Sequence, residues 1–143
     1  MTKNKKDAFA KFGIKQKNES WSWSGINKDK PVPINQNLIA PLCVLTIWLD
    51  QYDHVSGVWS IFNCNNEVWK DKNGNRYRIQ DIKYCLDELN GEFQAIFIDP
   101  VNRGVYDEKR KIKNISINEK LWFKITRFDE ETGECEAKRF TKD

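Results

Sequence analysis

Two tryptophans, Trp21 and Trp23, are separated by one residue and flanked by serines in the stretch 20–24. Because successive side chains of a β-strand point to opposite faces, this spacing puts both indoles on the same face of a strand. That face is either a wall of the hydrophobic core or an exposed surface on which the flat rings could stack against a ligand. The spacing is compatible with both interpretations.

Basic residues lie close in sequence to three of the six tryptophans. An aromatic ring that stacks on a nucleobase contributes about 1–3 kcal/mol, and neighbouring cations bind the phosphates. This combination of residue types therefore favours nucleic acid as the ligand. The candidate nucleic-acid-binding residues are Lys15, Lys17, Trp21, Trp23, Trp69, Arg76 and Arg78.

The charges are unevenly distributed along the chain. The net charge is only +3, yet residues 1–30 contain eight lysines and three acidic residues. Residues 70–83 add five basic residues and two acidic ones, whereas residues 31–69 contain no lysine or arginine. Such asymmetry predicts a basic face, and basic faces attract polyanions; a solvated lysine-rich surface is the alternative interpretation.

Two groups of side chains have residue types that occur in catalytic sites. The stretch 136–138 (Glu-Ala-Lys) after Asp129 has the residue types with which a metal-dependent nuclease holds Mg²⁺ and orients water. A tight turn separates them, however, and an acidic hairpin tip explains them as well. Asp50, Asp53 and His54 could form an acid/base pair or a hard-metal site, but a polar loop is the simpler interpretation. We therefore assign no catalytic residue, no metal and no cofactor, and expect binding rather than an enzymatic activity.

The cysteines are predicted to be free and mostly buried. Cys43, Cys64, Cys85 and Cys135 are widely spaced and form no close pair that could clamp a metal. The sequence contains no long apolar run and no secretory leader, so we expect a cytoplasmic protein that does not associate with membranes.

The whole of residues 1–143 is predicted to be a single α+β domain with a curved, largely antiparallel sheet. Two stretches, 42–49 and 93–98, are apolar on both faces, which is typical of strands buried at the centre of a sheet. The stretches 121–128 and 134–140 alternate as the two arms of a hairpin.

One principal helix is predicted over about 76–89. Ile79, Ile82, Leu86 and Leu89 recur there at helical spacing and would face the core. A short N-terminal helix over 4–12 should end at Gly13, because glycine readily adopts the left-handed conformation that closes helices.

Three stretches of this sequence resemble a known family. Residues 12–24 read Phe-Gly-x-Lys-x-Lys-Asn-x-x-Trp-Ser-Trp-Ser, residues 45–51 contain Leu-Thr-Ile-Trp and then Asp-Gln, and residues 121–134 read LWFKITRFDEETGE. They resemble a small, uncharacterised family of bacterial and phage proteins that stand alone or are associated with HNH-type restriction endonucleases. The resemblance implies restriction or phage biology, as a target-recognition part, and implies no catalytic residue. With one histidine, the chain has no HNH site of its own.

The leading hypothesis is a nucleic-acid-binding module whose partner is DNA or RNA. It would recognise DNA or read a modified base in restriction, phage defence or counter-defence. The alternative is a protein-binding inhibitor or adaptor of a phage or mobile element, which would use the same aromatic residues as interface anchors. A metal-dependent nuclease is the second alternative.

Overall fold

The computed structural model describes residues 5–15, 23–53, 55–61, 73–101 and 112–140. Within these ranges the chain folds as α+β, with two α-helices and ten strands, as the sequence predicts. The helices are α1 (Lys5–Lys11) and α2 (Asn73–Glu88), and a short 3₁₀ helix spans Leu49–Gln51. The strands are β1 (Ser24–Asn27), β2 (Val32–Ile34), β3 (Asn37–Ile39), β4 (Leu42–Trp48), β5 (Tyr52–Asp53), β6 (Val58–Ile61), β7 (Glu92–Pro100), β8 (Ile112–Ile117), β9 (Trp122–Phe128) and β10 (Cys135–Phe140).

Eight of these strands form one mostly antiparallel sheet in the order β1-β4-β7-β9-β10-β6-β5, with β8 also paired to β7. β4 and β7 pair in parallel, from Val44 opposite Gln94 to Trp48 opposite Ile98. Parallel neighbours need a crossover connection, and α2 lies in the chain between them. β2 and β3 form a separate hairpin. The predicted curvature of the sheet stays a prediction.

The two central strands, β4 and β7, are buried on both faces, as their composition predicts. On one face, Leu45 and Phe93 pack in a cluster with Ile82 of α2. On the other face, Val44 belongs to a cluster with Phe9 of α1. The sheet is therefore covered by one helix on each side.

α2 confirms the predicted principal helix, but the residues that it buries are not all those predicted to face the core. Arg78, Ile82 and Cys85 are buried, whereas Leu86 is 39% exposed. The prediction placed Leu86 in the core because of its helical spacing and made Arg78 a nucleic-acid-binding residue. Cys85 instead packs in the core cluster with Ile82, and the Arg78 guanidinium lies against the ring of Trp23.

β1 approaches the end of the N-terminal segment closely at Gly25. A Cβ atom at this position would overlap the side chain of Ile14. We expect Gly25→Ala to lower the free energy of unfolding by about 1–3 kcal/mol, because a β-branched neighbour in a packed site yields little. Chemical denaturation measures this loss. In an Ile14→Ala background, which lacks the overlapping Cγ2 atom, Gly25→Ala should cost less than it does alone. A fully additive double variant would contradict the close contact.

Three of the four cysteines, Cys43, Cys85 and Cys135, are free and buried, as predicted. Cys64 lies outside the described residues. None of the helices described is long and apolar enough to span a membrane.

Candidate functional site

The site begins with a link between the first strand and the principal helix. The Ser24 hydroxyl donates a hydrogen bond to Oδ2 of Asp81 at 2.6 Å. In a strand, Ser24 and Ile26 point to the same side, and Ile26 packs in the core beneath α2. β1 thus lies alongside α2, and the gap between them is lined by polar groups.

A cleft of about 410 Å³ opens at this junction. Gln80 and Asp81 lie four and three residues before Tyr84 on α2, so each of them shares a face of the helix with Tyr84. The cleft is also bordered by the segment that follows α1. Its lining consists of Ile14, Lys15, Ser24, Gly25, Ile26, Lys28, Gln80, Asp81 and Tyr84.

An aromatic ring and a cation meet inside this cleft. The Lys28 ammonium lies 5.6 Å from the centroid of the Tyr84 ring, within the range of a cation–π contact. Lys28 is exposed and Tyr84 is partly buried. The lysine can therefore leave the ring at little cost, whereas the ring is held by the helix.

A second aromatic–cation pair lies immediately before β1. The Arg78 guanidinium carbon is 5.2 Å from the centroid of the Trp23 ring. Trp23 is partly exposed, but Arg78 is only 5% exposed. Burial lowers the pKa of Arg78 to about 10, and the guanidinium still carries its proton at neutral pH.

The backbone at Trp23 is fixed to the sheet. The amide and the hydroxyl of Thr46 both donate to the Trp23 carbonyl oxygen at 3.0 Å. The ladder between β1 and β4 therefore extends to Trp23, since the adjacent pair is Ser24 opposite Leu45. The Trp23 ring therefore contacts a buried cation, and its backbone is fixed by the strand pairing.

The seven predicted site residues have different positions. Lys15 lines the cleft, whereas Trp23 is not part of the lining and directly precedes Ser24, the first residue of β1. Arg76 is exposed on α2, while Arg78 is buried against Trp23 and presents no cation to solvent. The structure therefore brings Lys15, Trp23 and α2 to one edge of the sheet. Lys17, Trp21 and Trp69 lie outside the described residues.

Sequence reasoning did not identify Lys28, Gln80 or Tyr84 as site residues. Gln80 and Tyr84 are one helical turn apart, which is a signal for a shared face of α2. Nothing in the sequence connects that face with Lys28, because the contact depends on how β1 packs against the helix.

A second cleft, of about 530 Å³, lies on the α1 side of the molecule. Its aromatic residue, Phe12, is 2% exposed and belongs to the core. The remaining lining residues are Lys11, Pro33, Asn35, Ile117, Asn118, Glu119 and Lys120. This cleft has cations but no ring that a ligand could stack on, so the cleft between β1 and α2 is the better candidate.

Two of the acidic residues considered for catalysis, Asp53 and Glu136, have structural partners. Asp53 accepts hydrogen bonds from the Val55 amide and the Ser56 hydroxyl within a turn, each at 2.9 Å. Glu136 accepts from Nε of Arg127 at 3.3 Å. Across the part of the chain that the structure describes, no group of three or more His, Cys, Asp or Glu residues could hold a metal ion. His54 lies outside that part.

Comparisons with known proteins add no relative. No family model, no curated protein and no solved structure matches this chain. The resemblance carried by residues 12–24 therefore stays a prediction.

Proposed function

We propose that this chain is a nucleic-acid-binding module and that it binds its ligand at the cleft between β1 and α2. The observation that supports this most is that two exposed lysines, Lys15 and Lys28, line the same cleft as the ring of Tyr84. Trp23 adds a second, partly exposed ring beside it. Cations for phosphates and rings for bases are the two elements of sequence-tolerant nucleic-acid binding.

The two lysines of the cleft differ from Lys83 and Arg127 in their partners. Lys83 pairs with Glu130 at 3.2 Å, and Arg127 pairs with Glu134 and Glu136. By contrast, no ion pair joins Lys15 or Lys28 to an acid among the residues described. Positive charge that has no ion-pair partner among the described residues attracts a polyanion over about a Debye length, roughly 10 Å at moderate salt.

The biological setting that we propose is recognition of DNA, or of a modified base in it, in restriction, phage defence or counter-defence in the cytoplasm. The resemblance of residues 12–24 and 121–134 to a family associated with HNH-type restriction endonucleases supports this setting. A concave site with polar groups and a ring is also what a reader of an extruded base needs.

Replacing Lys15 and Lys28 together with alanine should weaken binding and reduce its salt dependence. Each phosphate contact contributes roughly 0.7–0.9 to the slope of log K against log salt, so two lost contacts should reduce the slope by about 1.5. Fluorescence anisotropy of labelled DNA and RNA over a range of salt concentrations measures both quantities.

The matched control is Lys113→Ala with Lys124→Ala, which removes two exposed lysines from β8 and β9. The control should bind as the unmodified protein does, because these lysines lie away from the cleft. Absence of any binding to DNA or RNA at low salt would contradict the proposed function. An equal loss in both double variants would show that the basic cleft is not the site.

The alternative is a protein-binding inhibitor or adaptor. It is supported by the position of β1 at an edge of the sheet within the described ranges, because an edge strand can pair with an added strand of a partner. This alternative predicts stable capture of a protein by the immobilised chain and no salt-dependent retention of DNA or RNA.

A further inference from the structure

We propose that the cleft between β1 and α2 takes one unpaired nucleobase, so that the chain binds single-stranded nucleic acid in preference to a duplex. This inference rests on the proposed function and goes further by naming the form of nucleic acid and the residue that holds the base. The base would stack on Tyr84, with its polar edge towards the side chains that close the cleft.

The shape of the site favours a single strand. A protein reads a duplex by inserting a helix or a β-ribbon into a groove, so its reading surface protrudes. The surface here is concave, enclosed by α2 on one side and β1 on the other, with a volume of about 410 Å³. A volume near the lower end of small-ligand sites accommodates one base rather than a double helix.

The ring of Tyr84 supplies the stacking surface. The faces of a base in a duplex are covered by its neighbours, whereas an unpaired base can stack on an aromatic side chain. Lys28 lies 5.6 Å from the centroid of the ring in the unbound protein. When a base takes that face, the exposed ammonium moves to a neighbouring phosphate, and Lys15 at the same cleft contacts the backbone as well.

The polar groups of the cleft suit the edge of a base. The Gln80 side chain carries both donors and an acceptor, and the Asp81 carboxylate is oriented by the Ser24 hydroxyl at 2.6 Å. Both residues line the cleft together with Tyr84. A base whose face lies on the ring therefore meets hydrogen-bonding groups along its edge. An aliphatic ligand would leave the polar groups of Gln80 and Asp81 without partners.

The test compares three labelled probes of the same sequence, about 16 nucleotides long: single-stranded DNA, single-stranded RNA and the DNA duplex. The full chain should bind one or both single strands about tenfold more tightly than the duplex at equal salt. Tyr84→Ala should lower single-strand affinity by about tenfold and leave duplex affinity unchanged. Tyr84→Phe keeps the ring and should bind single strands within about twofold of the unmodified protein.

The outcomes separate this inference from the proposed function. Equal affinity for duplex and single strands, with no effect of Tyr84→Ala, would overturn the single-base inference and leave nucleic-acid binding intact. Absence of binding to all three probes at low salt would overturn both. If thermal unfolding shows that Tyr84→Ala is destabilised, its loss of affinity does not report on stacking. Tyr84→Leu, which keeps an apolar side chain without a ring, is then measured in its place. Full binding by a folded Tyr84→Leu variant would also overturn the inference.

Discussion

Arg78→Ala should lower the free energy of unfolding by about 2–4 kcal/mol, one of the two largest effects expected in this chain. Arg78 is 5% exposed, so its truncation leaves a cavity under the Trp23 ring. The same change removes a cation–π contact worth about 0.5–2 kcal/mol. Urea denaturation followed by circular dichroism measures the loss.

Arg76→Ala is the matched control, because Arg76 is an exposed arginine two residues earlier on the same helix. Its cost should stay within about 0.5 kcal/mol. Arg78→Met separates packing from charge: it restores most of the volume without a buried charge and should cost less than Arg78→Ala. Equal stabilities of Arg78→Ala and Arg76→Ala would contradict the buried position of the guanidinium.

The Arg78 pair also has a consequence for the candidate site. Trp23 is fixed on one side by the hydrogen bonds from Thr46 and on the other by the guanidinium. A ring that is already oriented binds a ligand without paying for its ordering. In the proposed site Arg78 would act through Trp23 as a positioning residue, whereas the sequence predicted a direct phosphate contact.

The secondary structure was predictable where a single pattern dominates. The two-sided apolar stretches at 42–49 and 93–98 became β4 and β7, and the hairpin at 121–140 became β9 and β10. The principal helix was expected from its periodicity and begins three residues earlier than predicted. The parallel pairing of β4 with β7 could not be predicted from periodicity, because a strand buried on both faces has the same composition in either orientation.

The cleft was much less predictable than the elements around it. Ser24 and Asp81 are 57 residues apart in sequence and meet through one hydrogen bond. A serine in a strand and an aspartate in a helix are ordinary surface residues by type, so only the packing of β1 on α2 reveals them as a pair. The basic and aromatic composition suggested the class of ligand that we propose. Of the four predicted site residues that the structure describes, only Lys15 belongs to the lining.

Stability should fall steeply above pH 9, which is the second large effect expected. Burial raises the pKa of Cys135 from 9.0 to about 12, and burial together with a hydrogen bond to Cys85 raises the pKa of Cys43 well above 9.0. Below pH 9 both thiols are protonated in the folded and the unfolded chain, so their contribution to stability is fully present. Above pH 9 the unfolded chain loses these protons and the folded chain keeps them, so stability decreases by about 1.4 kcal/mol per pH unit for each thiol.

The interval from pH 9 to pH 10 is the best place to measure this effect, in urea denaturation with a reducing agent present. Above about pH 10, Arg78 releases its proton more readily in the folded chain than in the unfolded one, which works in the opposite direction. Cys135→Ala should reduce the decrease between pH 9 and pH 10 by about 1 kcal/mol, because one of the two shifted thiols is gone and the unfolded thiol is only half ionised at pH 9. An unchanged decrease in this variant would show that Cys135 exchanges its proton with solvent in the folded state, and that the core formed by β10 and α2 is open to water.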